Sequence, residues 1–239
     1  MALAELFGPV DLDDGEGLHL AFGPLRVAVW RSGDRLLTDF RRGDEHATLR
    51  SSLASIPDAA GAALVGGEAN VRPVLPDRAL VVRPETPTTL APHSELSVWV
   101  GLPVWLALSD ELWFQVDVPK LTWFGPSMSD GELAYAGRTR LRARRDATSS
   151  SRAECNVILR NEAETPLVLD RVRIPLPRLG LSLVGDLLQA DSVTLTHDGD
   201  EGLAHAQLTR LPNPVSPPRH PPPEGPIRVF SALIPRWTL

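Results

Sequence analysis

The sequence predicts an all-β protein, either an antiparallel β-sandwich or two packed sheets, with at most one or two short helices. Its 23 prolines and 18 glycines interrupt the chain too often to leave room for long helices. The apolar segments are short, and in most of them apolar and polar residues alternate, which is the period of a half-buried strand. Turn-forming residues separate these segments along the chain.

Three consecutive strands are predicted near the N-terminus: 18–22, 25–29 and 35–40. Gly23-Pro24 separates the first two, and the turn Ser32-Gly33-Asp34 joins the last two into a hairpin. Residues 46–55 fit either a strand or two helical turns, and Pro57 ends the segment in either case.

The alternation is clearest in the middle of the chain. Leu96, Val98 and Val100 occupy alternate positions, as expected for one face of a strand. Segments 104–108 and 112–118 flank a short polar turn and predict a second hairpin. Four of the six tryptophans lie in this part of the chain, where core packing and sheet edges explain them better than an aromatic ligand platform.

The second half continues with strand-length segments: 154–161, 167–174, 179–184, 192–197 and 203–209. Residues 185–190 fit a single helical turn. Residues 212–226, PNPVSPPRHPPPEGP, predict polyproline II at the surface, because proline cannot donate a hydrogen bond inside a sheet. A strand pattern returns at residues 227–234.

This pattern predicts one β-rich domain over residues 1–211, since all-β folds of this length are often a single domain. A turn-rich connector marks a candidate boundary between sub-sheets near residues 84–93. Residues 212–226 form a proline-rich strap, and residues 227–239 return to the sheet as a C-terminal strand.

The composition limits the classes of function. A net charge of -6 and a pI of about 5.5 disfavour general binding to nucleic acid or to an anionic membrane surface. The single cysteine, Cys155, leaves no intramolecular disulfide and no cysteine-rich zinc site. The N-terminus has no basic region of a secretory signal, and no apolar run approaches the roughly 20 residues that cross a bilayer. We expect a cytoplasmic protein without a transmembrane segment and without a cofactor.

One stretch, residues 119–145, combines more unusual features than any other part of the chain. Trp123 and Phe124 end an apolar run, and Gly125-Pro126 follows at once, which predicts the end of a strand. After a short polar loop, a second strand is predicted to begin at Glu132.

Four arginines follow at alternate positions of this second strand. In an extended chain such side chains share one face, at intervals of roughly 6.5–7 Å. We predict a binding surface over residues 123–145, in which aromatic residues supply apolar anchors and the arginines supply charge, a pairing typical of interface hot spots. The alternative is a solvated or salt-bridged strand face, whose charges block aggregation between sheets. The residues of the predicted surface are Trp123, Phe124, Tyr135, Arg138, Arg140, Arg142 and Arg144.

The familiar catalytic and metal-binding motifs GxSxG, GxGxxG, GxxxxGK[ST] and HExxH are missing from the sequence. Residues 197–201 resemble a metal-binding string, but Asp-Gly between two strands is a stronger signal for a hairpin turn. Residues 11–16 lack the ligand spacing of an EF-hand, and the pairs Asp13-Asp14 and Asp110-Glu111 lie in turn-like contexts. Cys155 lies in an alternating strand without a neighbouring histidine, which predicts a buried, unreactive thiol.

Short motifs along the chain resemble those of a prokaryotic family. They are Leu102-Pro103-Val104, the Lys-x-Thr and aromatic-Gly-Pro motifs of residues 120–126, Gly131-Glu132-Leu133-Ala134-Tyr135, and the opening Leu6-Phe7-Gly8-Pro9. On these residues most of the chain resembles the family known as domain of unknown function 432. The resemblance implies no catalytic residues. Some members look to be encoded near small mechanosensitive channels, so the resemblance implies an accessory role beside such a channel.

We therefore expect a non-catalytic binding or assembly module that engages a protein partner, or a second copy of itself, through residues 123–145. Two alternatives stay open. One is a small-molecule or anion-binding domain that uses the same face. The other is an uncharacterised hydrolase whose polar site converges from distant parts of the chain.

Overall fold

A computed structural model describes residues 3–11, 17–32, 35–42, 45–52, 68–86, 88–108, 112–117, 120–127, 129–145, 151–200 and 202–231. Most elements within these ranges are β-strands, which confirms the predicted all-β class. The described helices are short, namely α1 (Leu3–Leu6) and one turn of 3-10 helix at Leu176–Arg178. The sheets pack around one main hydrophobic core.

The strands of the first half are β1 (Gly8–Asp11), β2 (Gly17–Phe22), β3 (Leu25–Ser32), β4 (Arg35–Arg42), β5 (Glu45–Ser52), β6 (Glu68–Val74), β7 (Leu80–Pro84), β8 (Thr88–Leu90), β9 (Ser94–Pro103), β10 (Trp105–Leu108), β11 (Leu112–Phe114) and β12 (Lys120–Phe124). Those of the second half are β13 (Glu132–Leu141), β14 (Arg152–Asn161), β15 (Leu167–Leu169), β16 (Arg171–Ile174), β17 (Leu181–Val184), β18 (Leu187–Ala190), β19 (Ser192–His197), β20 (Leu203–Thr209), β21 (Pro214–Ser216), β22 (Ile227–Arg228) and β23 (Phe230–Ser231).

These strands form sheets of different sizes. Near the N-terminus, β2-β3-β4-β5 is an antiparallel meander, and a second four-stranded sheet has the order β1-β6-β10-β11. A five-stranded sheet has the order β12-β13-β7-β16-β23. The largest sheet has eight strands and is built around β14, which pairs with β9 along its whole length. A short pair, β8 and β15, completes the set.

Three strand pairs are parallel, which the alternation of residues does not reveal. β13 runs parallel to β7, and β14 runs parallel to β18 and β19. Parallel neighbours need a long crossover between them. Here β7 and β13 are separated by several intervening strands, so their pairing depends on the fold as a whole.

Both predicted hairpins are present. β3 pairs with β4, and β10 pairs with β11, although β11 ends at Phe114 and not at residue 118 as predicted. The turn at residues 33–34 lies outside the described residues. Residues 46–55, which fitted strand or helix, begin as strand β5.

The helical turn expected at residues 185–190 is wrong. Leu187–Ala190 forms β18, which pairs antiparallel with β17, and Gly185-Asp186 is the turn between them. Gly185 has φ of +63°, the left-handed conformation that two-residue hairpin turns require and that glycine adopts without strain. Because Gly185 permits this turn and the segment after it, Leu187–Ala190, has only four residues, the segment forms a hairpin strand and not a helix.

The proline-rich strap lies along the edge of the largest sheet. Its residues Pro214–Ser216 pair with β17 as the outermost strand, where a missing amide donor is tolerated. Arg219 anchors the next part, because its guanidinium donates to the Leu75 carbonyl over 2.6 Å and stacks 4.3 Å from the centre of the Trp113 ring. After the strap, β22 pairs with β20 and β23 pairs with β16. Residues 232–239 lie outside the described residues.

Candidate functional site

β12 and β13 form the hairpin that contains most of the predicted site. The loop between them closes on itself, because the Trp123 indole Nε1 donates to the Ser127 carbonyl over 2.7 Å and the Asp130 amide donates to the Ser127 hydroxyl over 3.1 Å. Both loop glycines are required by close approach. A Cβ on Gly125 would collide with the Asp130 carbonyl, and one on Gly131 would lie 2.7 Å from Trp123 Nε1.

Phe124 is buried, with 1% of its surface exposed. It packs in a small second cluster with Ala79, Val81 and Ala134 on the side of the sheet that faces away from the main core. The guanidinium of Arg171 covers this cluster, 5.2 Å from the centre of the Phe124 ring. Phe124 therefore stabilises the sheet and is not available to a partner.

Tyr135 is also buried, on the opposite side of the sheet. Its ring meets Trp105 edge to face, with 6.0 Å between ring centres, and its hydroxyl donates to Asp77 Oδ1 over 2.7 Å. Burial, and then the hydrogen bond to Asp77, raise the pKa of Tyr135 to about 12. The phenol is therefore a structural hydrogen-bond donor at neutral pH.

The side of this sheet that packs on the core extends beyond the edge of the core at β12. Tyr135 lies beside Leu80 of β7, and both belong to the main core. Cross-strand partners share a face, so Leu121, opposite Tyr135, and Leu133, opposite Trp123, lie on this same side. Nevertheless Leu121 is 56% exposed and Leu133 is 46% exposed. We call Leu121, Trp123 and Leu133 the edge strip.

β12 is the outermost strand of its sheet. Within the ranges that the structure describes, β13 is its only strand partner, and no strand pairs with its other edge. Edge strands present backbone groups that have no strand partner. Here the Trp123 carbonyl accepts hydrogen bonds from the Arg171 guanidinium over 3.3 Å and from the Thr122 hydroxyl over 3.5 Å. The edge strip is therefore an apolar surface beside an open strand edge.

Arg138 and Arg140 are the exposed members of the predicted arginine row within β13. They alternate with Thr139, whose hydroxyl donates to the Gly101 carbonyl over 2.9 Å, and with Leu141, which is 3% exposed. Neither guanidinium forms an ion pair with another described residue. Arg140, which pairs with Arg83 of β7, lies on the opposite side of the sheet from the edge strip, and the register of β13 with β7 shifts between Ala136 and Arg140.

Arg142 and Arg144 lie beyond the end of β13 at Leu141. The backbone of Arg142 forms an isolated bridge with Trp99 of β9, through hydrogen bonds of 2.9 and 2.8 Å. Its Nη2 lies 3.4 Å from the carboxylate of Glu154, whose side chain is 6% exposed. Arg144 is exposed in the bend that follows. Arg142 thus joins two sheets, and the row does not continue as one strand face.

The structure confirms that Cys155 is a buried free thiol. Its Sγ lies 3.3 Å from the Asp191 carbonyl oxygen. Burial, and then the negative charges of Asp191 and Glu154, raise the pKa of the Cys155 thiol. A thiol of this kind is not an activated nucleophile.

β19 and β20 pair antiparallel as the predicted hairpin, and residues 198–200 and 202 are the described part of their connection. His197 Nδ1 lies 3.0 Å from the Leu203 carbonyl oxygen, so the histidine bridges the two strands. No group of three or more potential metal ligands comes together within the described residues. Residues 12–16, Asp110 and Glu111 lie outside them.

A family model described as a protein of unknown function (DUF432) matches residues 6–227. The chain belongs to this family. No curated protein and no solved structure matches the chain. In the described part of this DUF432 protein, no helix is long and apolar enough to cross a membrane.

The predicted site of this DUF432 protein is thus divided among separate environments. Phe124 and Tyr135 lie on opposite sides of one sheet, Arg138 and Arg140 are exposed, and Arg142 is tied to a second sheet. Leu121 and Leu133 were not among the site residues predicted from the sequence. Their positions in alternating strands are visible in the sequence, but the place where the core ends depends on the packing of distant strands.

Proposed function

We propose that this DUF432 protein is a non-catalytic assembly module that joins a second copy of itself along β12. The edge strip carries this proposal, because Leu121 and Leu133 remain 56% and 46% exposed although they continue the core-facing side of the sheet. An open strand edge with apolar side chains is a ready template for pairing with another chain. A two-fold dimer uses the same patch on both copies.

β12 is self-complementary in an antiparallel arrangement. When two copies pair about Thr122, Leu121 of one copy lies opposite Trp123 of the other, and the two-fold axis repeats this contact. Apolar side chains then meet apolar side chains on the core-facing side. The two five-stranded sheets become one continuous sheet, and no strand edge of β12 is left open.

The raised pKa values of Tyr135 and Cys155 disfavour either residue as the nucleophile of a hydrolase. Both are held in their protonated, neutral forms, whereas a nucleophilic tyrosine or cysteine needs a lowered pKa or an adjacent base. The proposal places the protein in the cytoplasm, since its one cysteine is a buried free thiol and a reducing compartment suits it. An accessory role beside a small mechanosensitive channel is the setting that the family resemblance suggests.

The double variant L121S/L133S tests the proposal. Each leucine already buries about half of its surface, so completing its burial is worth about 1 kcal/mol. The four leucines of a dimer then contribute about 4 kcal/mol, or about a thousandfold in the dissociation constant. Analytical ultracentrifugation of the parent and of the variant measures this difference.

The matched control is V168S/V184S, which removes two other exposed apolar side chains, 66% and 49% exposed, outside β12. We expect this variant to dimerise like the parent. A parent protein that stays monomeric at high micromolar concentration, or equal weakening by the two double variants, would contradict the proposal.

A further inference from the structure

An open cleft of about 450 Å³ lies beside the strap, where the connection between β6 and β7, the start of β13 and the end of β16 meet. We call it the strap cleft. Its basic side chains come from Arg78, Arg173, Arg178 and His220. Its volume falls within the range of about 300–1,000 Å³ that is typical of small-molecule sites. Assembly along β12 does not use these basic side chains, although Leu133 of the edge strip also lines the cleft.

The guanidinium groups outnumber the carboxylates of the strap cleft. Three arginines face two acidic residues, Asp77 and Glu132, so the described lining carries one positive charge in excess when His220 is neutral. Glu132 forms an ion pair with Arg173, whereas Arg78 Nε lies 3.9 Å from Asp77. Asp77 also accepts the hydrogen bond of the Tyr135 hydroxyl. Arg78 is therefore only loosely neutralised.

The strap is fixed as one wall of the cleft. The backbone amides of Arg219 and His220 both donate to the Pro177 carbonyl over 3.0 Å, and the guanidinium of Arg178 donates to the Pro221 carbonyl. These bonds hold the His220 ring at the cleft. Most of the basic side chains thus belong to residues whose backbone is hydrogen-bonded to neighbouring segments. Less conformational entropy is therefore lost when a ligand binds.

We propose that the strap cleft binds the phosphate group of a small phosphorylated molecule. Guanidinium groups match the oxygens of a phosphate with paired, charge-assisted hydrogen bonds, and an excess of positive charge favours a dianion. The cleft has room for an organic group beside the phosphate. Pro175 and Pro177 supply an apolar wall for that group.

Isothermal titration calorimetry with inorganic phosphate and with ribose 5-phosphate, at ionic strength matched with sodium chloride, tests this site. We expect both probes to bind saturably, and R78Q to weaken binding about tenfold, because one charged hydrogen-bonding group is lost. Arg78 has a side chain that is 43% exposed, so this change is compatible with folding. The matched control is R138Q, which removes the same charge outside the strap cleft.

A second variant, E132Q, is expected to act in the opposite direction. It removes a negative charge from the cleft and releases Arg173 for the ligand, so binding of inorganic phosphate should tighten about fivefold. E164Q, at an exposed carboxylate outside the cleft, should leave binding unchanged. Phosphate that binds no better than chloride, equal losses in R78Q and R138Q, or weaker binding by E132Q would overturn the proposal.

Discussion

Arg142 holds the end of β13 against the largest sheet, and replacing it by alanine tests this role. Its Nη2 lies 3.4 Å from the Glu154 carboxylate, whose side chain is 6% exposed. In the variant R142A, the Glu154 carboxylate loses this guanidinium but stays buried, where little water can reach it. R140A is the matched control, because Arg140 lies two residues earlier and is exposed.

The size of the effect follows from the burial of the pair. Removing one partner of a buried ion pair costs about 3–5 kcal/mol. Arg142 is itself 22% exposed, so solvent screens part of the interaction, and we expect the free energy of unfolding to fall by about 2–3 kcal/mol. In a chain of 239 residues this lowers the Tm by about 5–10 °C. R140A should leave the Tm unchanged within error.

Urea unfolding followed by tryptophan fluorescence measures these differences, since the chain has six tryptophans. The double variant R142A/E154Q should be more stable than R142A, because a neutral amide costs less to bury than a carboxylate that has lost its ion pair with Arg142. Equal stability of R142A and R140A would refute the reasoning. So would a double variant R142A/E154Q whose loss of stability equals the sum of the losses in R142A and in E154Q alone.

Three further predictions concern Tyr135, Cys155 and Gly131. Tyr135 is the only tyrosine, so absorbance at 295 nm reports its ionisation alone; we expect a midpoint near pH 12 in the folded protein and a lower midpoint in D77N. Because folding raises this pKa, Tyr135 stabilises the fold below about pH 10 and loses that contribution as the pH rises towards 12, which urea titrations at pH 9 and 11 would show. Cys155 should react with a thiol reagent only after unfolding, and rapid reaction of the folded protein would contradict its burial. G131A should lower the Tm by several degrees, since its Cβ displaces the Trp123 indole, and an unchanged Tm would show that the loop has room.

The local features of the fold follow from the sequence. Alternation and turn residues predict the strands, as in the hairpin of β3 and β4 and in the connection after His197. The same alternation predicts the burial of Cys155. These features depend on neighbours within a few residues, so a single sequence contains enough information to identify them.

The division of the candidate site depends on contacts between distant segments. Arg138 and Arg142 belong to the same alternating pattern, but Arg142 leaves the row because its backbone bonds to Trp99. Leu121 is exposed because the core ends beside it, which is a property of several packed strands. The strap cleft likewise joins Arg78 to His220, which are far apart along the chain.

A disulfide trap across β12 tests assembly most directly. If two copies pair about Thr122, the two Thr122 residues lie directly opposite each other, with Cα atoms about 4.5–5.5 Å apart, which suits a disulfide. The two Lys120 residues are then offset by four positions, or about 13 Å, which no disulfide spans. Oxidised T122C should therefore migrate as a covalent dimer of twice 26.0 kDa, while K120C stays at 26.0 kDa. A T122C protein that remains monomeric, or equal cross-linking of both variants, would contradict pairing along β12.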